Sequence, residues 1–211
     1  MEFNEPNIRP GHPPHPIREK RNGLLSSRIL LKAVLFIVIF LLSFHLADFT
    51  PGSYSRKQAI QEILSVLERH RTGLAAITKE ELAEVIYEEA IRHNHDPKFV
   101  MALIYAESEF FNWAVSEKGA KGLMQIMPYV GELIAKELGI EWAGDRTLFN
   151  PYLNIRMGIY YLSRLIADFN DLRVALIAYN YGPTYVKGLI ERKERIPTQY
   201  YRRIIKIYQD I

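Results

Sequence analysis

The chain has 211 residues, 48% of them apolar and 24% charged, so it can bury a core and is not disordered throughout. It contains no cysteine, which excludes disulfides, thiolate metal sites, a cysteine nucleophile and a lipidated cysteine. The net charge of +3 sits in residues 1–32, where six Lys/Arg stand against three Glu. The remainder holds 21 of each sign, and a neutral body argues against nucleic acid as the main partner, since phosphate neutralisation needs a basic face.

Residues 1–23 carry five of the eleven prolines and few apolar side chains, which predicts a disordered tail over about 1–28. The composition then inverts. Residues 33–42 are uninterrupted and apolar, and with their flanks they give a 19-residue stretch over 29–47, close to what a spanning helix needs. A buried core helix, a cleaved signal peptide and an uncleaved signal anchor compete for this stretch. The first fits poorly with a helix that is apolar all round. The second needs a small-x-small cleavage site that His45 and Ala47 do not provide. A single transmembrane anchor fits best, with the basic tail inside and everything after Asp48 exported.

The body reads as helices. Ile60, Ile63, Leu64 and Leu67 form one stripe over 57–70. Thr78 and Glu81 form a capping box that opens a second helix. Asp96-Pro97 supplies a cap and a first-turn proline for a third, expected to run to about Phe110. A fourth spans about 128–138 and stops at Gly139. Asn150-Pro151 opens a fifth, and shorter helices follow at about 171–178, 184–192 and 198–209. The fold class is therefore all-α, with 48–89 as a helical lead-in and 90–211 as the functional domain.

Chemistry concentrates in three clusters. In the third helix Val100, Leu103, Ile104 and Glu107 fall at i, i+3, i+4 and i+7, which places the Glu107 carboxyl on a core-facing stripe. Burial penalises the charged form, so its proton is held to higher pH, as a general acid requires. Periodicity alone leaves open a helix-end glutamate paired to arginine or turned to solvent. Glu109 points about 200° away and should be solvated. Residues 119–128 form a two-glycine turn followed by an apolar, amide-bearing stretch and a helix-starting proline. The segment lacks the Gly-Lys-Ser/Thr ending of a phosphate loop. Its Gly-x-x-Gly unit matches the RNA clamp of KH domains only weakly, since basic balance and strands are missing. Residues 178–183 join a phenol, an amide and a turn within a chain end rich in tyrosine, a residue type suited to sugar rings. His93 and His95 flank a helix connection where a metal site has little support, and His70 is expected to face solvent at a helix end. No cofactor and no metal are expected.

In order and spacing these clusters resemble the lytic transglycosylases of the soluble transglycosylase type, related in fold to goose-type lysozyme. Glu107-Ser108 matches the family's helix-ending Glu-Ser pair. Val115-Ser116 and 119–128 match its Val-Ser and Gly-Ala-x-Gly-Leu-Met-Gln-Ile-Met-Pro segments. Residues 150–155 match Asn-Pro-x-x-Asn-Ile, and 178–183 match Ala-Tyr-Asn-x-Gly-Pro. The likeness spans about residues 90–205. It implies a lysozyme-like helical domain that cuts the β-1,4 bond between N-acetylmuramic acid and N-acetylglucosamine of peptidoglycan. Glu107 would be the catalytic acid and then base, assisted by the substrate's own acetamido group, and a 1,6-anhydro end would form. Ser108, Ser116, Gly122, Leu123, Met124, Gln125, Met127, Tyr179, Asn180 and Tyr181 would build the substrate groove. The implied partners are peptidoglycan strands and, through the anchor, the bacterial inner membrane, with the domain in the periplasm or wall space. Two positions depart from the pattern. Tyr181 replaces a small residue, narrowing the groove or adding a stacking face. Pro197 stands where many members carry glutamate, so a substrate contact of that glutamate has no counterpart. A hydrolytic muramidase and a wall-binding module with lapsed catalysis remain the alternatives, separable by product mass and by activity on sacculi.

Overall fold

The computed structural model describes residues 51–211, with side chains from residue 55 onward. The expected tail and anchor lie outside the described residues. Residues 51–211 form one compact unit. Among them the regular structure is helical, with two isolated antiparallel bridges, Val115 with Lys121 and Lys121 with Ile126. No described helix is long and apolar enough to cross a membrane.

The helices are α1 (Pro51–Glu68), α2 (Lys79–Arg92), α3 (Pro97–Ser108), α4 (Pro128–Leu138), α5 (Asp145–Leu148), α6 (Pro151–Phe169), α7 (Leu172–Tyr181), α8 (Pro183–Glu191) and α9 (Gln199–Asp210). Their starts follow local chemistry. Thr78 and Glu81 close the capping box on α2 through Glu81 N to Thr78 Oγ1 at 3.1 Å and Thr78 N to the Glu81 carboxylate at 2.8 Å. Asp96 accepts from Lys98 N at 2.9 Å and Asn150 from Leu153 N at 3.2 Å, each just before a proline at the first helical position.

Helix α3 is central to this unit. It packs against α1, α2 and α9, while α6 packs against α2, α4, α5 and α7. Phe99 to Ile104, Ala106 and Ser108 are all buried, so α3 is covered on nearly every side and not only along the stripe that contains Glu107. It ends two residues before the expected Phe110. Glu109 and Phe110 adopt φ of 50° and 65°, left-handed conformations that stop a helix. Glu109 is exposed, as its spacing predicts, but it is the helix cap rather than a residue on the opposite helical face.

His70 departs from its expected solvent-facing position. It is half-buried, packed edge-on against Tyr105 and Phe110 at 5.3 and 5.2 Å, with Nδ1 bonded to Val66 O at 2.9 Å. Phe110 is fully buried after the left-handed turn, and its ring supplies the apolar wall that draws the histidine in.

Candidate active site

Glu107 is the penultimate residue of α3 and borders a cavity of about 380 Å³ lined also by Ser116, Glu117, Lys118, Ala120, Gln125, Met127, Tyr179 and Asn180. Three parts of the chain meet there: the end of α3, the loop of residues 114–127, and the end of α7. Burial raises the Glu107 carboxyl to about pH 7, against the opposing effects of a hydrogen bond from the Tyr200 hydroxyl and the positive charge of Arg203. The Tyr179 and Tyr200 hydroxyls are held well above the usual phenol range by burial first and by the neighbouring Glu107 charge second.

The 114–127 loop is fixed by side chains reaching in from three helices. Ser108 Oγ donates to Leu123 O at 2.8 Å, and Tyr179 Oη donates to Met124 O at 2.7 Å. Asn154, fully buried on α6, accepts from Met124 N at 2.7 Å and donates to Lys121 O at 3.0 Å and Leu148 O at 2.8 Å. Gln125 Nε2 donates to Ala114 O at 3.1 Å and Gly122 O at 2.9 Å. Gly122 is required here. Its φ is +79°, and an added Cβ would lie 2.4 Å from Leu148 O and from Asn154 Nδ2. Ser116 closes the turn by accepting from Ala120 N at 3.0 Å.

The groove residues implied by the sequence therefore fall into three sets. Ser116, Gln125, Met127, Tyr179 and Asn180 line the cavity with Glu107. Ser108, Gly122, Leu123 and Met124 are buried behind it and hold the loop in shape. Tyr181 lines a neighbouring cavity instead. Two residues join the site that spacing does not predict, Tyr200 and Arg203 on α9. Tyr200 and Ile204 are the buried pair of an amphipathic helix, which signals that Tyr200 turns inward but not which group it meets. His93 and His95 are half-buried, and His95 Nε2 meets Ser163 Oγ at 2.9 Å. Burial lowers the pKa of both rings. Among the described residues no three His, Asp or Glu side chains gather as a metal set.

A single carboxyl that is half-protonated near neutrality, set in a polar cavity, can both donate and accept a proton at one substrate atom. Glu117 also lines the cavity, from an exposed position on the loop. Residues 84–201 match the Transglycosylase SLT domain family, more than half of the chain, and the protein belongs to that family. It is 36% identical over 110 residues to the membrane-bound lytic murein transglycosylase F of Desulfosudis oleivorans, covering 49% of this chain and 22% of the relative. It is 36% identical over 91 residues to the soluble lytic murein transglycosylase of Salmonella typhimurium, covering 42% and 14%. The structure of an inactive variant of lytic transglycosylase Slt from Pseudomonas aeruginosa superposes with a TM-score of 0.48 at 31% identity, over 59% of this chain and 21% of that one. The chain thus spans less than a quarter of the length of these relatives.

Proposed function

We propose that the protein is a membrane-anchored murein lytic transglycosylase, with residues 90–211 as its catalytic domain. The observation that carries the proposal is the Glu107 carboxyl, raised to about pH 7 by burial at the cavity where the end of α3, the 114–127 loop and the end of α7 meet. Family membership and the names of the relatives support peptidoglycan as the substrate.

In this reading neutral Glu107 protonates the oxygen that leaves C1 of N-acetylmuramic acid, and the C1–O bond breaks. The substrate's 2-acetamido oxygen shares the positive charge that develops at C1. Glu107, now a carboxylate, removes the proton of the 6-hydroxyl as O6 bonds to C1. A 1,6-anhydro ring closes, no water is consumed, and Glu107 regains the proton it gave. One carboxyl suffices because donor and acceptor roles follow one another at the same group. Tyr200, donating to Glu107, steadies the carboxylate formed between the steps. Ser116, Gln125, Met127, Tyr179 and Asn180 hold the sugars against it. The buried Ser108, Gly122, Leu123 and Met124 act by shaping the loop. No cofactor or metal takes part.

Muropeptides released from purified sacculi test this directly, because an anhydro end is one water lighter than the reducing end a hydrolytic muramidase leaves. Anhydro ends are expected. Reducing ends would replace the proposal with hydrolysis, and no release at all would favour a binding module. The anchor over residues 29–47 rests on their apolar run behind a basic tail. The full chain should stay with membranes through a high-salt wash, and recovery of a mature chain that starts near Asp48 would refute it.

A further inference from the structure

We infer that copies of this chain associate head to tail, the basic outer face of α9 on one copy seated in an acidic groove between α2 and α6 of the next. The chain after residue 32 is neutral, with 21 charges of each sign, but the signs are segregated. Helix α2 carries five glutamates against Lys79 and Arg92. Residues 187–211 carry seven Lys/Arg against Glu191, Glu194 and Asp210.

The groove has a volume of about 300 Å³. Glu84, Glu88 and Glu89 of α2 line it together with Tyr152 and Leu153 of α6, and Arg156 is the one cation among its lining residues. Glu89 is only 8% exposed. Its Oε2 is buried with no hydrogen-bond partner, the nearest cation being Arg92 Nε at 3.5 Å. A buried carboxylate oxygen in that state lacks a donor. Acidic walls, an apolar lining and an unfilled acceptor together suit a long cationic side chain, whose stem is apolar and whose head donates.

Helix α9 carries such side chains at a matching spacing. Arg202 and Lys206 are exposed one turn apart on its outer face, while Tyr200 and Ile204 face inward. On α2 the exposed Glu80, Glu84 and Glu88 recur at the same interval of four residues, about 6 Å along a helix. Glu88 is engaged by Arg56 at 2.6 Å. Among the described residues Glu80, Glu84, Arg202 and Lys206 take part in no ion pair. Two unpaired carboxylates and two unpaired cations, each pair one turn apart, can therefore close two ion pairs between copies. The two faces are different surfaces of one copy, so the contact is heterologous and leaves a face open at each end. It uses none of the residues that line the Glu107 cavity.

Sedimentation velocity of the full chain in non-ionic detergent tests this. The parent should form concentration-dependent oligomers at about 0.05 M salt and return to monomer at about 0.5 M. Glu80→Lys with Glu84→Lys, or Arg202→Glu with Lys206→Glu, should weaken association about tenfold or more. Mixing the two double variants, or placing all four substitutions in one chain, should restore it, because a positive face again meets a negative one. Circular dichroism verifies that each variant keeps its helices. A parent that is monomeric at both salt concentrations would overturn the inference. So would association that survives either reversal, or reversed variants that stay apart when mixed. None of these outcomes bears on the reading of Glu107.

Discussion

A carboxyl group that gives a proton and then takes one back works best when its two forms are nearly balanced at the operating pH. Burial brings Glu107 to that point, and Tyr200 keeps it from going further. The Tyr200 hydrogen bond favours the charged form, so its removal must raise the pKa. Because the acid has to be protonated, kcat/KM should fall above about pH 7, and Tyr200→Phe should move that alkaline limb to higher pH. A limb that stays in place or moves down would show that Tyr200 does not act on the carboxylate. The same shift carries a stability signature. Between the ordinary value of 4.5 and the folded value of about 7, the folded state binds more protons than the unfolded state. The contribution of Glu107 is thus fully present below 4.5 and is lost as pH rises through 7. Glutamine has no such dependence. Urea unfolding should find Glu107→Gln level with the parent near pH 4 and more stable near pH 8 by up to about 3 kcal/mol.

At the scale of elements, the motif loop is held by its surroundings more than by itself. Asn154 satisfies three backbone groups at once, Met124 N–H, Lys121 C=O and Leu148 C=O, and it is wholly buried. Asn154→Ala orphans Met124 N–H and Leu148 C=O, while Lys121 C=O keeps its bond from Ile126 N–H, so the loss should be about 2 kcal/mol or more. Asn150→Ala, which removes only an N-cap on the same helix, should cost about 1 kcal/mol. Equal losses in urea unfolding would mean that Asn154 serves α6 rather than the loop. These contrasts also explain what the sequence reveals. The capping box at Thr78 and the Asp96-Pro97 and Asn150-Pro151 starts are legible because cap and proline act within one turn. The end of α3 is not, because Glu109 and Phe110 turn left-handed without a glycine to mark it. His70 likewise reads as a surface residue until Phe110 folds back beside it.

At the scale of the whole molecule, the site is an assembly of distant pieces. Glu107 and the loop lie close in sequence and are readable together, and the Tyr179-Asn180 turn follows from its motif. Tyr200 meets Glu107 across 93 residues, a contact that only the packing of α9 against α3 creates. The placement of Tyr181 in the neighbouring cavity is of the same kind. It depends on how α7, α8 and α4 come together, which no local pattern encodes.

The most direct test of the account is the release of anhydromuropeptides from purified sacculi by Glu107→Gln and, as control, Glu109→Gln. Glutamine keeps the size of the side chain but has no proton to transfer, and loss of a general acid removes about 10²–10⁴ in rate. Glu107 also serves as the base, so its variant should fall at the upper end of that range or below detection while retaining its helical circular dichroism. Glu109→Gln, changed at an exposed helix cap, should keep most of the parent activity. A folded Glu107→Gln protein that releases anhydromuropeptides at the parent rate would contradict the account.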